Sequence, residues 1–330
     1  RTGRTETQGY VVRPFRSLSF LDRRAEAGGV AGFFADAARS ISFHYNKSDS
    51  FKPDVTQYTI MLVELGNPIS HGKDYGFGVS LLRDKLYFRF NKYETQVVGD
   101  KKSQLRIIAE DILGIDFGGD QDVERPLRSY AEQEINKQIL NGEIPQPSPE
   151  ELERLANKFM EVPAFLPYYV NGELRQPNVT DAIDTKARGL EMELHFNPTN
   201  YWTIKANATR QESSYSSVGQ SMEDYINLRL PVWQSARLAS WWASGNDALF
   251  EKQLQRYRVL KSGEGKAKPQ VRKWRFNLMS SYKLAGLGGD RAWLKNLTVG
   301  GSVRWEDRGA IGYYGSPDPD GLIRDLDVNR

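Results

Sequence analysis

Four stretches of the chain alternate strictly between apolar and polar residues and turn back on themselves through a short polar link. The first predicted hairpin joins a strand over 28–35 to ISFHYNKSDSF (41–51) through Asp36–Ser40. The second joins YGFGVSLL (75–82) to LYFRFNKYETQVV (86–98) through Arg83–Lys85. The third joins RGLEMELHF (188–196) to WTIKANATRQESS (202–214) through Asn197, Pro198, Thr199 and Asn200. The fourth joins VRKWRFNLMSSYKL (271–284) to LTVGGSVRWED (297–307) through a glycine-rich link. Asn, Pro, Gly and Asp between period-2 segments are ordinary hairpin-turn chemistry.

Sorting the strand residues by face gives one uncharged side. It reads Ile41/Phe43/Tyr45, Tyr75/Phe77/Val79/Leu81, Leu86/Phe88/Phe90, Leu190/Met192/Leu194/Phe196 and Trp202/Ile204/Ala206/Ala208. It continues through Trp274/Phe276/Leu278/Ser280/Tyr282/Leu284 and Leu297/Val299/Gly301/Val303/Trp305. The other side carries Ser42, His44, Asn46, Arg89, Asn91, Glu191, Glu193, His195, Lys205, Asn207, Arg275, Asn277, Lys283, Arg304 and Glu306. A charge at mid-bilayer on a lipid-facing strand costs about 2–4 kcal/mol, so complete sorting is what a wall between lipid and a wet lumen demands. Tyr45, Tyr75, Trp202, Trp274, Tyr282 and Trp305 lie near the ends of the apolar faces, where amphipathic rings settle at bilayer interfaces. Alternation alone fits a soluble antiparallel sheet packed on one face equally well.

Spacing separates the two. The connections between hairpins, roughly 52–74, 99–187 and 215–270, are long, and the links within them are short. Strands of about 10 residues joined alternately by tight turns and large loops are the pattern of outer-membrane barrels. Structureless loops above about 12–15 residues are uncommon in compact soluble domains. Part of the long loops is expected to be helical. Ser148, Pro149 and Glu151 read as N-cap, first helical position and capping-box acid of a helix to about Met160. Further helices are expected near 103–113, 127–141 and 246–260. No internal repeat is present beyond the hairpin unit.

Composition narrows the class further. The chain has 330 residues, 12% aromatic, with no cysteine and a formal net charge of +3. The absence of cysteine removes disulfides, thiolate metal sites and cysteine nucleophiles. Nearly balanced charge gives no reason to propose nucleic acid as a partner. No apolar run of about 18 residues marks a transmembrane helix. The opening RTGRTETQGY is not a signal peptide; since an exported barrel needs one, the start of the chain is expected to have been cut away.

Candidate chemistry is sparse. The three histidines, His44, His71 and His195, lack partners at metal-ligand spacing in the sequence. Glu191 and Glu193 share a face at i, i+2 and would suit a glycosidase, although carboxylates on a wet strand face account for them better. Asp318-Pro319-Asp320-Gly321 lacks the distal acid of a calcium loop and reads as a surface turn. Gly286, Gly288 and Gly289 precede no phosphate-binding helix and read as a turn. The Asn178-Val179-Thr180 sequon carries little meaning in a bacterial protein. Trp233, Trp241 and Trp242 among basic residues are expected to pack loop helices together rather than meet a ligand.

Three stretches resemble the barrel region of TonB-dependent outer-membrane receptors. They are ISFHYNKSDSFKP with NPISHGKDYGFGVSLLRDKLYFRFNKYETQ, then KARGLEMELHFNPTNYWTIKANATRQES, then LKNLTVGGSVRWEDRGAIGYYG. The likeness is carried by the Ser50-Phe51-Lys52-Pro53 step, the Gly72–Gly78 strand, the Asp84–Tyr93 return strand, Arg188-Gly189-Leu190-Glu191 and Asn197-Pro198. It covers about 27–99, 186–214 and 271–315. It implies an all-β fold: a transmembrane barrel section of about eight strands, from a barrel the family closes with about 22, with long, partly helical extracellular loops. The family's plug, TonB-contacting box and terminal aromatic strand are not in the chain, so residues 1–330 would be one partial barrel domain.

The implied function is outer-membrane uptake of a scarce ligand such as an iron–siderophore complex, vitamin B12 or a glycan. TonB would energise it through the plug, outer-membrane lipid would surround it, and no cofactor, metal or catalytic residue is expected. Ligand contacts would lie in loops 99–187 and 215–270, with no single residue assignable. Two rivals remain: a passive porin, and a soluble secreted polysaccharide-acting enzyme using Glu191 and Glu193.

Overall fold

In the computed structural model the described residues are 3–118, 125–163, 166, 169–170, 173–174, 179–243, 248–269, 271–287, 292–309, 312–313 and 325–326. Eight strands form one sheet: β1 (Glu6–Val12), β2 (Ser42–Phe51), β3 (Ile69–Leu81), β4 (Leu86–Asp100), β5 (Ile183–Thr199), β6 (Trp202–Val218), β7 (Trp274–Lys283) and β8 (Thr298–Glu306). Each pairs antiparallel with its sequence neighbour, so the sheet is an up-and-down meander with β1 and β8 at its edges. The sheet is open among the described residues. No described helix is long and apolar enough to cross a membrane.

The central strands are longer than alternation alone predicts. β3 begins at Ile69 rather than Tyr75, and β5 and β6 run 17 residues each. The connections therefore shrink to residues 52–68, 101–182 and 219–273. The links within the second and third hairpins are short, as expected.

The first hairpin is different. Residues 28–35 are not a strand: they belong to α2 (Gly29–Ser40), which follows α1 (Ser19–Ala27). The strand beside β2 is β1, in register Tyr10 to Tyr45. The run GVAGFFADAA is too short and too uniformly apolar for its period to be decisive, and its alanines favour helix. Gly32 and Ala35, three apart, are its buried face. Gly28 and Gly29 both hold positive φ (71° and 68°), a conformation that favours glycine, and so turn one helix into the next.

α2 also braces the β3–β4 turn. Leu82, Arg83 and Asp84 all take left-handed φ between 54° and 62°, a costly conformation for three side-chain-bearing residues in succession. Arg83 N donates to Asp36 Oδ2 at 3.1 Å, and Ser40 Oγ donates to Ser80 O at 2.6 Å. The helix end thus holds the turn in place.

At the opposite end of the sheet the three long connections fold together. α3 (Ser103–Phe117), α4 (Leu127–Leu140) and α5 (Pro149–Phe159) come from the second, and α6 (Gln220–Trp233) and α7 (Leu249–Ser262) from the third. The first contributes Ile60 and strands Gln57–Thr59 and Glu64–Leu65; Gln57–Thr59 also pairs with Val179–Thr180. One hydrophobic core joins them, including Leu105, Ile112, Leu127, Met160, Met222, Trp233 and Leu254. Helices expected near 103–113, 127–141, 148–160 and 246–260 are present. Ser148 caps α5 as its sequence indicates, accepting from Glu151 N at 3.2 Å. An all-β label therefore describes the sheet but not this helical unit.

Candidate functional site

Strand register converts the two sequence faces into two continuous surfaces. On one, Phe43, Phe77, Phe90, Met192, Ala208, Phe276 and Trp305 lie side by side across seven strands. The neighbouring rung runs Val79, Phe88, Leu194, Ala206, Leu278 and Val303. Tyr45, Tyr75 and Trp274 border this band toward the helical unit, and Trp202 and Tyr282 border it toward the turns. Trp305 lies one rung inside, beside Phe276. Leu284 and Leu297 fall outside the strands and are joined by a backbone bond from Leu284 N to Leu297 O.

Among the described residues no element packs over the apolar band. The buried core contains no residue of it. Phe43, Tyr75, Phe276 and Leu278 remain 44, 43, 39 and 37% exposed. From Trp274 to Tyr282 the band measures about 27 Å along a strand. At the tilt of strands in a barrel wall that length would project to about 20 Å along the normal, against ~25 Å for the apolar belt of outer-membrane barrels.

The opposite face is polar and internally bonded. His44 Nε2 meets Asn91 Oδ1 at 3.0 Å, and Asn91 Nδ2 donates to Glu191 Oε2 at 3.3 Å. Asn46 Nδ2 donates to Asp74 Oδ2 at 2.9 Å, and Asn277 Nδ2 to Asn207 Oδ1 at 2.7 Å. Two glycines shape this surface. A Cβ on Gly189 would lie 2.6 Å from the Tyr93 ring, and one on Gly76 would lie 2.9 Å from the His44 ring. These rings lie over neighbouring strand backbone because glycine leaves the space, an arrangement that also pins register.

Glu191 and Glu193 share this face, yet each has a structural partner: Asn91 for the first, His195 Nε2 at 2.6 Å for the second. His71 stands apart, with Nδ1 2.7 Å from Asp49. Pairing across strands thus gives His71 and His44 acidic neighbours that sequence spacing hides, the second being Asp74 at 3.9 Å. No described group of three His, Asp or Glu residues could hold a metal ion. Residues 318–321, with Asn178, Gly288 and Gly289, lie outside the described residues, while Gly286 falls in a short 3-10 turn.

The helical unit closes over the end of the sheet where loops 99–187 and 215–270 were expected. Its centre is Asp116, fully buried, which accepts Tyr225 OH at 2.7 Å, Trp233 Nε1 at 2.9 Å and two bonds from Arg229 at 2.8 Å. Arg229 also donates to the Met160 and Glu161 carbonyls, both at 2.8 Å. Tyr225, Arg229 and Trp233 recur every four residues on one face of α6. That spacing was the sequence signal available for this cluster, and Asp116, more than a hundred residues away, carried none. The tryptophans pack as expected: Trp233 and Trp242 are buried against Phe250, and the Trp241 ring lies tilted beside Tyr130, 5.3 Å between centroids.

Asp181, at the base of the unit, accepts from Met222 N and Ser221 Oγ, both at 3.0 Å, and so caps α6 from a distant segment. Burial pushes its carboxyl above the usual aspartate range despite those bonds. Burial likewise raises Asp111, against the opposing pull of Arg256 at 3.0 Å.

No family model matches the chain, and no curated protein does. Solved structures do. The alcaligin outer-membrane receptor FauA from Bordetella pertussis is 13% identical, with a TM-score of 0.36 over 82% of this chain and 27% of that one. The ferripyoverdine receptor of the outer membrane of Pseudomonas aeruginosa, bound to ferripyoverdine, is 13% identical, with a TM-score of 0.41 over 87% and 23%. The ferric-catecholate import receptor Fiu from Escherichia coli K12 is 11% identical, with a TM-score of 0.35 over 84% and 24%. The chain spans about a quarter of the length of these receptors. Likeness of this extent assigns no function.

Proposed function

We propose that this chain is part of the barrel wall of an outer-membrane receptor of the TonB-dependent type, importing a scarce ligand such as an iron–siderophore complex, vitamin B12 or a glycan. One observation carries the reading: a charge-free apolar band crosses seven strands, is bordered by Tyr and Trp at both ends, and is covered by nothing among the described residues. In a soluble sheet that band would be the core. Here the buried core belongs to the helical unit, so the sheet's apolar surface is left for lipid. The hydrogen-bonded polar face then lines the lumen around a plug supplied from outside residues 1–330. The helical unit stands at the extracellular end, where it contributes to ligand capture. TonB would act through that plug, and the chain itself carries no catalytic step.

The orientation is testable in intact cells with the full-length receptor. A cysteine at Asn141, in the helical unit, should react with a membrane-impermeant maleimide. One at Thr199, in the β5–β6 turn, should react only after the outer membrane is opened. Labelling of Thr199 alone in intact cells would reverse the topology, and equal labelling of both would remove the membrane reading.

A further inference from the structure

The polarity of the lipid-side face changes abruptly at one end. Beyond the Phe43–Phe276 rung, the next two rungs on the same face, with the adjoining Lys273, carry Lys47, Lys73, Lys92, Arg188, Arg210 and Lys273. Only Glu94 and Glu212 oppose them there, an excess of four positive charges. Glu212 is shared by three cations: Arg210 at 2.8 Å, Arg188 at 2.9 Å and Lys273 at 3.4 Å. The belt lies on the helical-unit side of the apolar band and has no counterpart at the turn side, where Trp202 meets Tyr282.

Its geometry suits a ligand with both charge and chain. Lys92 Nζ sits 5.7 Å over the Tyr75 ring, and the Arg210 guanidinium 5.9 Å over Trp274. The cations therefore rest on the aromatic border, with apolar stems along the band and charged heads above it. Lys92, Arg188, Gly189, Leu190, Arg210 and Glu212 line a depression of about 320 Å³. Exposed ion pairs of this kind add little to stability, so the fold itself does not explain the excess of positive charge.

We propose that this belt is a binding site for the phosphate-bearing headgroup of an outer-leaflet lipid, whose acyl chains lie on the apolar band below. The proposal rests on the barrel reading above. Membrane-proximal Lys and Arg attract anionic headgroups, and each adds to the affinity; aromatic rings beneath them fix the depth of the headgroup.

The full-length receptor is reconstituted into phosphatidylcholine bilayers doped with diphosphorylated lipid A, or with the same lipid stripped of its phosphates. Retained lipid is counted by native mass spectrometry after extraction. Wild type should retain the phosphorylated lipid, and Lys92→Gln/Arg188→Gln/Arg210→Gln should retain at least about tenfold less while inserting equally well. Glu212→Gln, which frees three cations, should retain at least as much as wild type. Equal retention by wild type and the triple variant, or indifference to the phosphates, would overturn the site while leaving the barrel reading intact. Competition by inorganic phosphate at the same concentration as lipid would also overturn it, in favour of a free-anion site. Failure of the wild type to enter bilayers would remove the barrel reading and this site with it.

Discussion

In the helical unit Leu105, Ile112 and Trp233 are shut away from solvent, whereas in the sheet Phe43, Tyr75 and Phe276, of similar chemistry, stay open. Charge is placed by opposite rules as well. The helical unit buries Asp116 and Arg229 at its centre, while the apolar band of the sheet tolerates no charge between its two aromatic borders. The difference teaches where each region finds its apolar surroundings. The helical unit makes its own by packing three connections together. The sheet makes none, and on the proposed reading its band is completed by lipid.

The most damaging change that separates the two regions is Asp116→Ala. It leaves Arg229 buried without its carboxylate and strips acceptors from Tyr225 and Trp233. Breaking a buried pair by removing one partner costs about 3–5 kcal/mol. Hydrogen exchange on the reconstituted full-length receptor should show α6 amides losing protection while the paired amides of β5 and β6 keep theirs. Joint loss in both regions would mean that they fold as one unit and that the contrast drawn here is superficial.

The sheet side of the comparison is probed by a pair of substitutions on adjacent residues. Leu194 lies in the apolar band between Phe88 and Ala206, and Glu193 on the polar face between Arg89 and Asn207. Leu194→Arg should impair assembly into bilayers by about 2–4 kcal/mol, the cost of a cation near the midplane. Glu193→Arg should assemble almost normally. Equal folded yields, measured by protease protection in vesicles, would favour a soluble sheet.

How much of this could be read from the chain follows the range of each interaction. Strand faces are legible because alternation is local: between the aromatic borders each assigned apolar residue of β2 to β7 meets an apolar or small neighbour across the strand, whereas on the border rung Leu190 lies between Lys92 and Arg210 and Trp274 lies opposite Arg210. The α5 cap was legible for the same reason. α2 is not legible as a helix because residues 28–35 are all small or apolar, so neither a period of two nor one of 3.6 stands out. β1 was missed, since ETQGYVV has too few apolar positions to declare a face. α6 was missed because Pro231 sits inside it and its polar and apolar residues do not segregate strongly. The Asp116 cluster, the Asp181 cap and the basic belt were not legible at all. Each joins residues from different connections or strands, and only the register brings them together.

The smallest effect expected is a pH dependence confined to the helical unit, and it arises at Asp181. This carboxyl is buried at the N-terminus of α6, facing Ser221 and Met222, with Gly219 beside it. Tyr257 of α7 packs nearby, and burial raises its hydroxyl too, helped by Glu223, Asp181 and Glu264. Burial disfavours the charged carboxylate of Asp181 more than its hydrogen bonds favour it, so its folded pKa lies above the ordinary value of 3.8. The folded state then binds the proton more tightly than the unfolded one. The stabilisation from Asp181 is complete below that ordinary value and is lost as pH rises through the raised one. Urea midpoints of the helical unit, followed by tryptophan fluorescence, should therefore fall as pH rises across that window. Asp111 contributes in the same direction, so the diagnostic quantity is the difference between wild type and Asp181→Asn, which keeps an acceptor for Met222 N but cannot ionise. The variant should show a shallower fall, and both proteins should show unchanged protection in β5 and β6. An identical slope in the two proteins would mean that Asp181 is ionised in the fold and that its bonds to α6 outweigh its burial.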